Sequence, residues 1–272
     1  MIRLFLVKVW AFIKRDFRIE SSYKVAFLLE ILRSIFPVFI FYFVAKLVDD
    51  GDNPHLASYG GGYFPFVLVG VAFTQYLTAA LQVFATTVRR AQTTGVLEAI
   101  LSTQTSPQGV IFYTSAYSFL VSTIHVAVVF AVGGLLPGVD YADANLVSAL
   151  ATIVLAIAAF SALGIFSATL IVVLKKGDPI ELFIGYSSSL LGGAYFPVVV
   201  MPDWMQLAAK LLPITYALEA MRRALFEGQS LRDLWLPLTV LAAMAVVLLP
   251  ASLWAFSQAV EKGRREGSLG QY

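Results

Sequence analysis

Few residues in this 272-residue chain have the type and spacing for chemistry. Glu30 and Arg33 stand three apart inside an apolar run, and His125 stands beside Ser122 and Thr123 inside another. A buried acid or imidazole of this kind can carry protons or mark a substrate path through a membrane. The remaining cluster, Asp203, Glu219, Arg222 and Arg223, has the acids and bases that a hydrolytic site would need. Each has a plainer reading. Glu30 and Arg33 share a helix face and are expected to neutralise each other near the inner end of a span, where long side chains snorkel. His125 reads as a neutral group hydrogen-bonding between helices. Glu219 and Arg223, four apart, read as a pair on one face of a helix outside the spans.

The usual signatures of catalysis are missing from the sequence. It contains no G-x-x-x-x-G-K-[ST] phosphate loop, H-E-x-x-H, G-x-S-x-G or N-x-[ST]. It has no cysteine, which excludes disulfides and thiolate sites, and its two histidines, His55 and His125, are too few for a metal cluster. The Gly60-Gly61-Gly62 run reads as a flexible lead into an apolar segment. No metal site is expected, and no basic patch points to nucleic acid.

The elements that must position these residues are set by hydropathy. The chain is 59% hydrophobic and 13% charged, with a mean hydropathy of +0.80. A soluble domain carries about 25% charged residues. Long apolar runs at 25–47, 63–84, 109–136, 146–174, 182–200 and 234–256 predict six spans, since roughly 20 apolar residues cross a hydrocarbon core of about 30 Å. All should be helical, because backbone polar groups in lipid must be satisfied within the segment. The fold class is therefore all-α and polytopic. Ala162, Gly164 and Ala168 in the fourth run predict close helix packing.

Charge orients the spans. Arg3, Lys8, Lys14, Arg15, Arg18 and Lys24 precede the first; Arg89 and Arg90 follow the second; Lys175 and Lys176 follow the fourth. Lys262, Arg264 and Arg265 follow the last, and the first and third loops carry Asp49, Asp50, Asp52, Asp140 and Asp143 instead. Basic short loops stay in the cytoplasm, so both termini are expected there. Lys210, Arg222, Arg223 and Arg232 break the rule by falling outside, offset by Asp203, Glu219, Glu227 and Asp233. A seventh crossing over 202–226 is disfavoured by those charges and by Pro213. At the start, Lys8 interrupts "LFLVKVWAFI" and no small-residue cleavage site follows, so residues 3–22 read as an amphipathic helix lying flat on an anionic inner surface.

Two segments remain. "RRAQTTGVLEAILSTQTSP", Arg89 to Pro107, is too short to cross. With Thr93 or Thr94 as N-cap, it places Val96, Leu97, Ile100 and Leu101 on one apolar stripe with one acid, Glu98, nearby. Periodicity alone leaves two readings open: a plug for a soluble partner, or a helix resting on lipid. The second segment is "GGAYFPVVVMPDWMQLAAKLLPITYALEAMRRALFEG", Gly192 to Gly228. Pro197 and Pro202 are expected to end the fifth span, and Pro213 to split two short helices over 202–227.

"TTGVLEAILSTQTSP" resembles the G-T-L-E-x-L-L-x-T-P segment of permeases of the type-2 ATP-binding-cassette (ABC) exporter family, with Val96 at the position of the usual threonine. The 192–228 segment is similar to the family's F-F-P, P-x-W and L-x-P-x-T-Y-x-x-E-A-x-R runs, here Tyr195 to Pro197, Pro202 to Trp204 and Leu211 to Arg222. The resemblance implies that 93–103 is a cytoplasmic coupling helix in which Thr94, Gly95, Val96, Leu97, Glu98, Ala99, Ile100 and Leu101 engage an ATPase subunit. It implies that 202–227 forms an outer re-entrant pair, with Tyr195, Phe196, Pro197, Trp204 and Tyr216 at an outer gate. It further implies a non-catalytic permease in a prokaryotic inner membrane, working as a homodimer or heterodimer with two copies of an ABC ATPase that binds the ATP and Mg. Cargo would run along the interface of the first, second and fifth spans. The aromatic content of 14% suits a drug, lipid or glycolipid. A polysaccharide cargo, an ion-coupled secondary transporter and a membrane-embedded enzyme are the competing expectations. The transporter is disfavoured because it should show several acids within its spans, and here only Glu30 is clearly embedded, with Glu181 at an edge.

Overall fold

The structure is a computed structural model, and it describes residues 10–11, 13–18, 24–48, 62–93, 107–174 and 178–265. Among the described residues the regular structure is helical throughout. The helices are α1 (Lys24–Val48), α2 (Tyr63–Thr93), α3 (Pro107–Gly134), α4 (Leu146–Leu174), α5 (Asp178–Leu191), α6 (Asp203–Ala209), α7 (Pro213–Phe226) and α8 (Trp235–Arg265), with a 3-10 turn at Val198–Val200. Residues 10–11 and 13–18 are also helical, with Trp10 and Phe17 exposed.

Five helices, α1 to α4 and α8, are long and apolar enough to cross a membrane. The segment expected at 182–200 departs from its expected bounds. Its helix is Asp178–Leu191, 14 residues, or about 21 Å at 1.5 Å per residue, short of a hydrocarbon core of about 30 Å. Gly192 and Gly193 stop it, and Gly193 takes φ +81°, a left-handed conformation that side-chain-bearing residues avoid. The prolines expected to end that span act later: Pro197 precedes the 3-10 turn and Pro202 precedes α6.

Helix α2 is the axis of the bundle. The membrane window of α2 is 78% buried, against 11% for α1, so α1 is peripheral while α2 is enclosed by α1, α3, α4, α5 and α7. Phe66, Phe73, Tyr76 and Phe84 of α2 are fully buried, and Phe73 meets Phe160 of α4 edge to face at 6.5 Å. The small-residue stripe of α4 packs as its spacing implies. A Cβ on Gly164 would fall 2.3 Å from the Ala80 carbonyl oxygen and 2.5 Å from the Phe84 ring, so only glycine lets α2 and α4 approach this closely. Among the described residues the most extensive packing is between α4 and α8.

Helix α4 starts where Asn145 caps it, accepting from the Ser148 N–H at 3.1 Å, which satisfies one free donor of the first turn. The Asn145 N–H in turn donates to the Ala224 carbonyl at 2.8 Å. Tyr141 stacks on Phe226 at 6.0 Å. The 135–145 loop is thereby pinned to α7. At α6–α7, Thr215 donates to the Ala209 carbonyl at 2.7 Å, which also accepts from the Leu212 N–H at 3.0 Å, and Tyr216 donates to the Lys210 carbonyl at 3.0 Å, so side chains of α7 help satisfy the carbonyl end of α6. Pro213 opens α7 at a position where its missing N–H costs nothing.

Candidate functional site

Helix α7 is strongly two-faced, and Arg222 lies on its buried face. Glu219 and Arg223 are paired at 2.7 Å on the other face, as their spacing of four predicts. Arg222 is one residue, and so about 100° of helix rotation, away from Arg223. It shares the inner surface with Ile214, Leu218 and Leu225 and is 4% exposed. Its Nε donates to the Phe66 carbonyl at 3.1 Å, and one terminal amino group donates to the Gly193 carbonyl at 3.0 Å and the Ala194 carbonyl at 3.3 Å. The guanidinium also lies over the Phe66 ring, 3.5 Å from its centroid. A planar cation with five donors can do this where an ammonium cannot. Arg222 thus joins three pieces of chain: α7, the first turn of α2 and the glycine turn that ends α5. Gly70 reinforces the joint, since a Cβ there would fall 1.8 Å from the Ala194 carbonyl oxygen.

Around this joint, the residues expected at a gate are placed as follows. Tyr195 stacks on Phe41 of α1 at 5.5 Å. Phe196 and Pro197 are half-buried beside it, Tyr216 is tied to Lys210, and Trp204 projects from α6 with 68% exposure. Among the described residues no ring contact joins Trp204 or Tyr216 to Tyr195. Beyond α7, partial burial pushes Glu227 above the usual carboxylate range, opposed by Arg223 and by a 2.6 Å hydrogen bond from Gln229. Asp233 is held below that range by hydrogen bonds from the Ser230 hydroxyl and N–H.

Between α1, α2, α3 and α5 lies a cavity of about 790 Å³, open on one side where Glu30, Arg33 and Tyr186 are exposed. Three polar stripes at helical spacing face it: Glu30, Arg33 and Ser34 on α1; Thr74, Thr78, Gln82 and Thr86 on α2; Ser118, Ser122 and His125 on α3. Tyr186 adds a wall from α5, and the paired Arg15 and Asp16, 2.7 Å apart, add another.

Two sequence expectations change here. Glu30 and Arg33 form no ion pair among the described residues; both are exposed and both line the cavity, where each can remain solvated. His125 is not the interhelical hydrogen-bonding group of its helix. That bond belongs to Thr123 and the Tyr76 hydroxyl, which also reaches the Phe119 carbonyl at 3.3 Å, while Ser122 bonds its own backbone at Ser118. His125 Nε2 is buried with no partner, and so is the Thr74 hydroxyl. Sequence reading missed the α2 stripe, although Thr74, Thr78, Gln82 and Thr86 repeat every four residues inside an apolar run and so mark one polar face.

Among the described residues no group of three or more His, Asp and Glu could hold a metal. Thr94, Gly95, Val96, Leu97, Glu98, Ala99, Ile100 and Leu101 lie outside the described residues; α2 ends at Thr93 and α3 begins at Pro107, so this stretch joins those two helix ends.

A family model described as ABC-2 type transporter matches residues 3–226 of the chain. No curated protein matches the chain.

Proposed function

The chain belongs to the ABC-2 type transporter family, and from that premise we propose that it exports a hydrophobic or amphipathic cargo, such as a drug, lipid or glycolipid, across the inner membrane of a prokaryote. As a family member it is a multi-pass transport subunit, and such permeases normally work with a cytoplasmic ATPase. Two permeases and two ATPase subunits form the complex, and ATP and Mg bind in the ATPase pair. Closing of that pair pushes the 93–103 helix as a lever and tilts the spans, so that a path between the two permeases opens outward.

The observation that carries this reading is the extent of the family match. It takes in both the 94–101 segment and α7 through Phe226, the two places where the sequence resembles type-2 exporters. The structure contributes a peripheral α1 with exposed Phe36, Phe39 and Phe43, a surface that a second permease or lipid can cover. Helix α2 is buried in the bundle, so of the three spans expected along the cargo path α1 and α5 carry the apolar side chains that face outward, where a second permease could pack.

Inverted membrane vesicles holding the chain and its ATPase should accumulate a fluorescent amphiphile only when ATP is supplied, and a protonophore should leave uptake intact. Uptake without ATP that a protonophore abolishes would assign ion coupling instead. Orientation has its own check, because the chain has no cysteine. Asp140→Cys should react with a membrane-impermeant maleimide in intact cells, while Lys14→Cys should react only after lysis; labelling of both in intact cells would overturn cytoplasmic termini.

A further inference from the structure

The walls of the cavity are more polar than packing requires. Its stripes on α1, α2 and α3 all fall within helices long and apolar enough to span, where polar groups cost free energy unless water or a ligand in the cavity satisfies them. Several of these groups have no protein partner. Thr74 and His125 are orphaned, and among the described residues Thr78 and Gln82 make no side-chain hydrogen bond. Two other orphaned hydroxyls, Ser148 and Ser167, are not on this wall. The volume, about 790 Å³, falls in the range of about 300–1,000 Å³ that holds small ligands.

Charge narrows the occupant. Arg15 and Asp16 are paired with each other, and Glu30 and Arg33 supply one acid and one base a single helical turn apart. A singly charged head group of either sign would gain one of these two residues and be repelled by the other, so the pair gives it no net attraction. A hydroxyl suits both, since it donates to a carboxylate and accepts from a guanidinium, and it can pair with threonine, glutamine or imidazole in either sense.

We infer that this cavity, inside a single subunit, binds the uncharged, hydroxyl-bearing head group of an amphiphile whose apolar tail stays among the peripheral helices and lipid. The inference deepens the exporter reading and rests on it for the word cargo. The walls supply the tail's route: α1 and α5 border the cavity and carry exposed apolar side chains, Phe36 and Phe39 on one and Phe183 and Leu190 on the other.

His125 is buried at Nε2 but only half-buried as a residue where it lines the cavity, so its reactivity can report occupancy. The chain has two histidines, so His55→Gln leaves His125 as the one imidazole of the chain for diethyl pyrocarbonate to modify. The full chain, in phosphatidylcholine nanodiscs, is treated with the reagent, and modification is followed by peptide mass spectrometry. We expect saturating octyl glucoside to slow it about tenfold, as occupancy above 90% requires. Octyl phosphate and octyltrimethylammonium, with the same tail, should leave the rate unchanged. Thr74→Val with Gln82→Leu, which keeps size and removes hydrogen bonding, should leave His125 reactive and abolish protection. Failure of His125 to react without ligand would mean a closed cavity and overturn the proposal. Equal protection by the charged amphiphiles would show that the tail alone binds, and protection that persists in the double variant would show binding elsewhere; either overturns it. Equal protection by free glucose would assign the site to a sugar and overturn the amphiphile. No nucleotide or ATPase is present, so failure of ATP-driven export leaves this result intact, and failure here leaves export intact.

Discussion

Arg222→Leu is expected to loosen the α6–α7 segment from the bundle at a cost of about 3–5 kcal/mol, since buried carbonyls left without their donor cost about 1–3 kcal/mol each. The cost arises on both sides of the contact. Three carbonyls, on Phe66, Gly193 and Ala194, lose a charged donor, and the space left beside the Phe66 ring cannot rehydrate them well. Arg222→Lys keeps the charge, but a single ammonium cannot reach the Phe66 carbonyl and the glycine turn in the planar arrangement of a guanidinium, so recovery should be partial. Arg223→Leu is the matched control. It removes a half-exposed pair with Glu219 and should cost less than about 1 kcal/mol. Thermal unfolding of the three purified variants, followed by tryptophan fluorescence, should place Arg222→Leu lowest, Arg222→Lys between, and Arg223→Leu close to the parent. Equal midpoints for Arg222→Leu and Arg223→Leu would show that the joint contributes nothing to stability. Transport should fall in the same order, since the joint fixes how α2 and α5 meet.

The bundle was legible where a physical property is written in the side chains. Leu146–Leu174 is a run of apolar residues whose length alone predicts a spanning helix, and the structure has a helix over the same residues. The Glu219–Arg223 pair followed from spacing. The end of α5 was not legible from hydropathy, because Gly192 and Gly193 interrupt "SSSLLGGAYFPVVV" through backbone conformation and leave the apolar average intact. Arg222 was hidden by its neighbour: two adjacent arginines read as one surface patch, although a helix turns them about 100° apart and sends one inward. The cavity was hidden by taking its residues one at a time. Glu30 with Arg33, and His125 with Thr123, each had a sufficient local explanation, and only the convergence of three helices shows that their polar groups share a space.

Leu97→Arg carries the largest functional effect. In the proposed mechanism Leu97 and Ile100 seat the coupling helix in a groove on the ATPase, and an arginine there would bury an unpaired charge at a cost of about 2–5 kcal/mol. At about 1.4 kcal/mol per tenfold, that is roughly thirty- to several-thousand-fold weaker engagement. The segment is too short to cross the membrane itself, so the variant is expected to reach the membrane in normal amount. Leu97→Met keeps the apolar volume and should cost less than about 1.5 kcal/mol. A helix resting on lipid would behave differently, because arginine snorkels to head groups and would be tolerated. The decisive measurement is therefore affinity capture of the tagged chain from its own membranes, as parent and as Leu97→Arg, with the co-purifying ABC ATPase quantified and vanadate-sensitive ATP hydrolysis assayed on each eluate. The account predicts equimolar ATPase and active hydrolysis with the parent, and neither with Leu97→Arg. Capture of the ATPase at parental levels by Leu97→Arg, with parental hydrolysis, would contradict it, as would hydrolysis by a parent chain purified free of any partner.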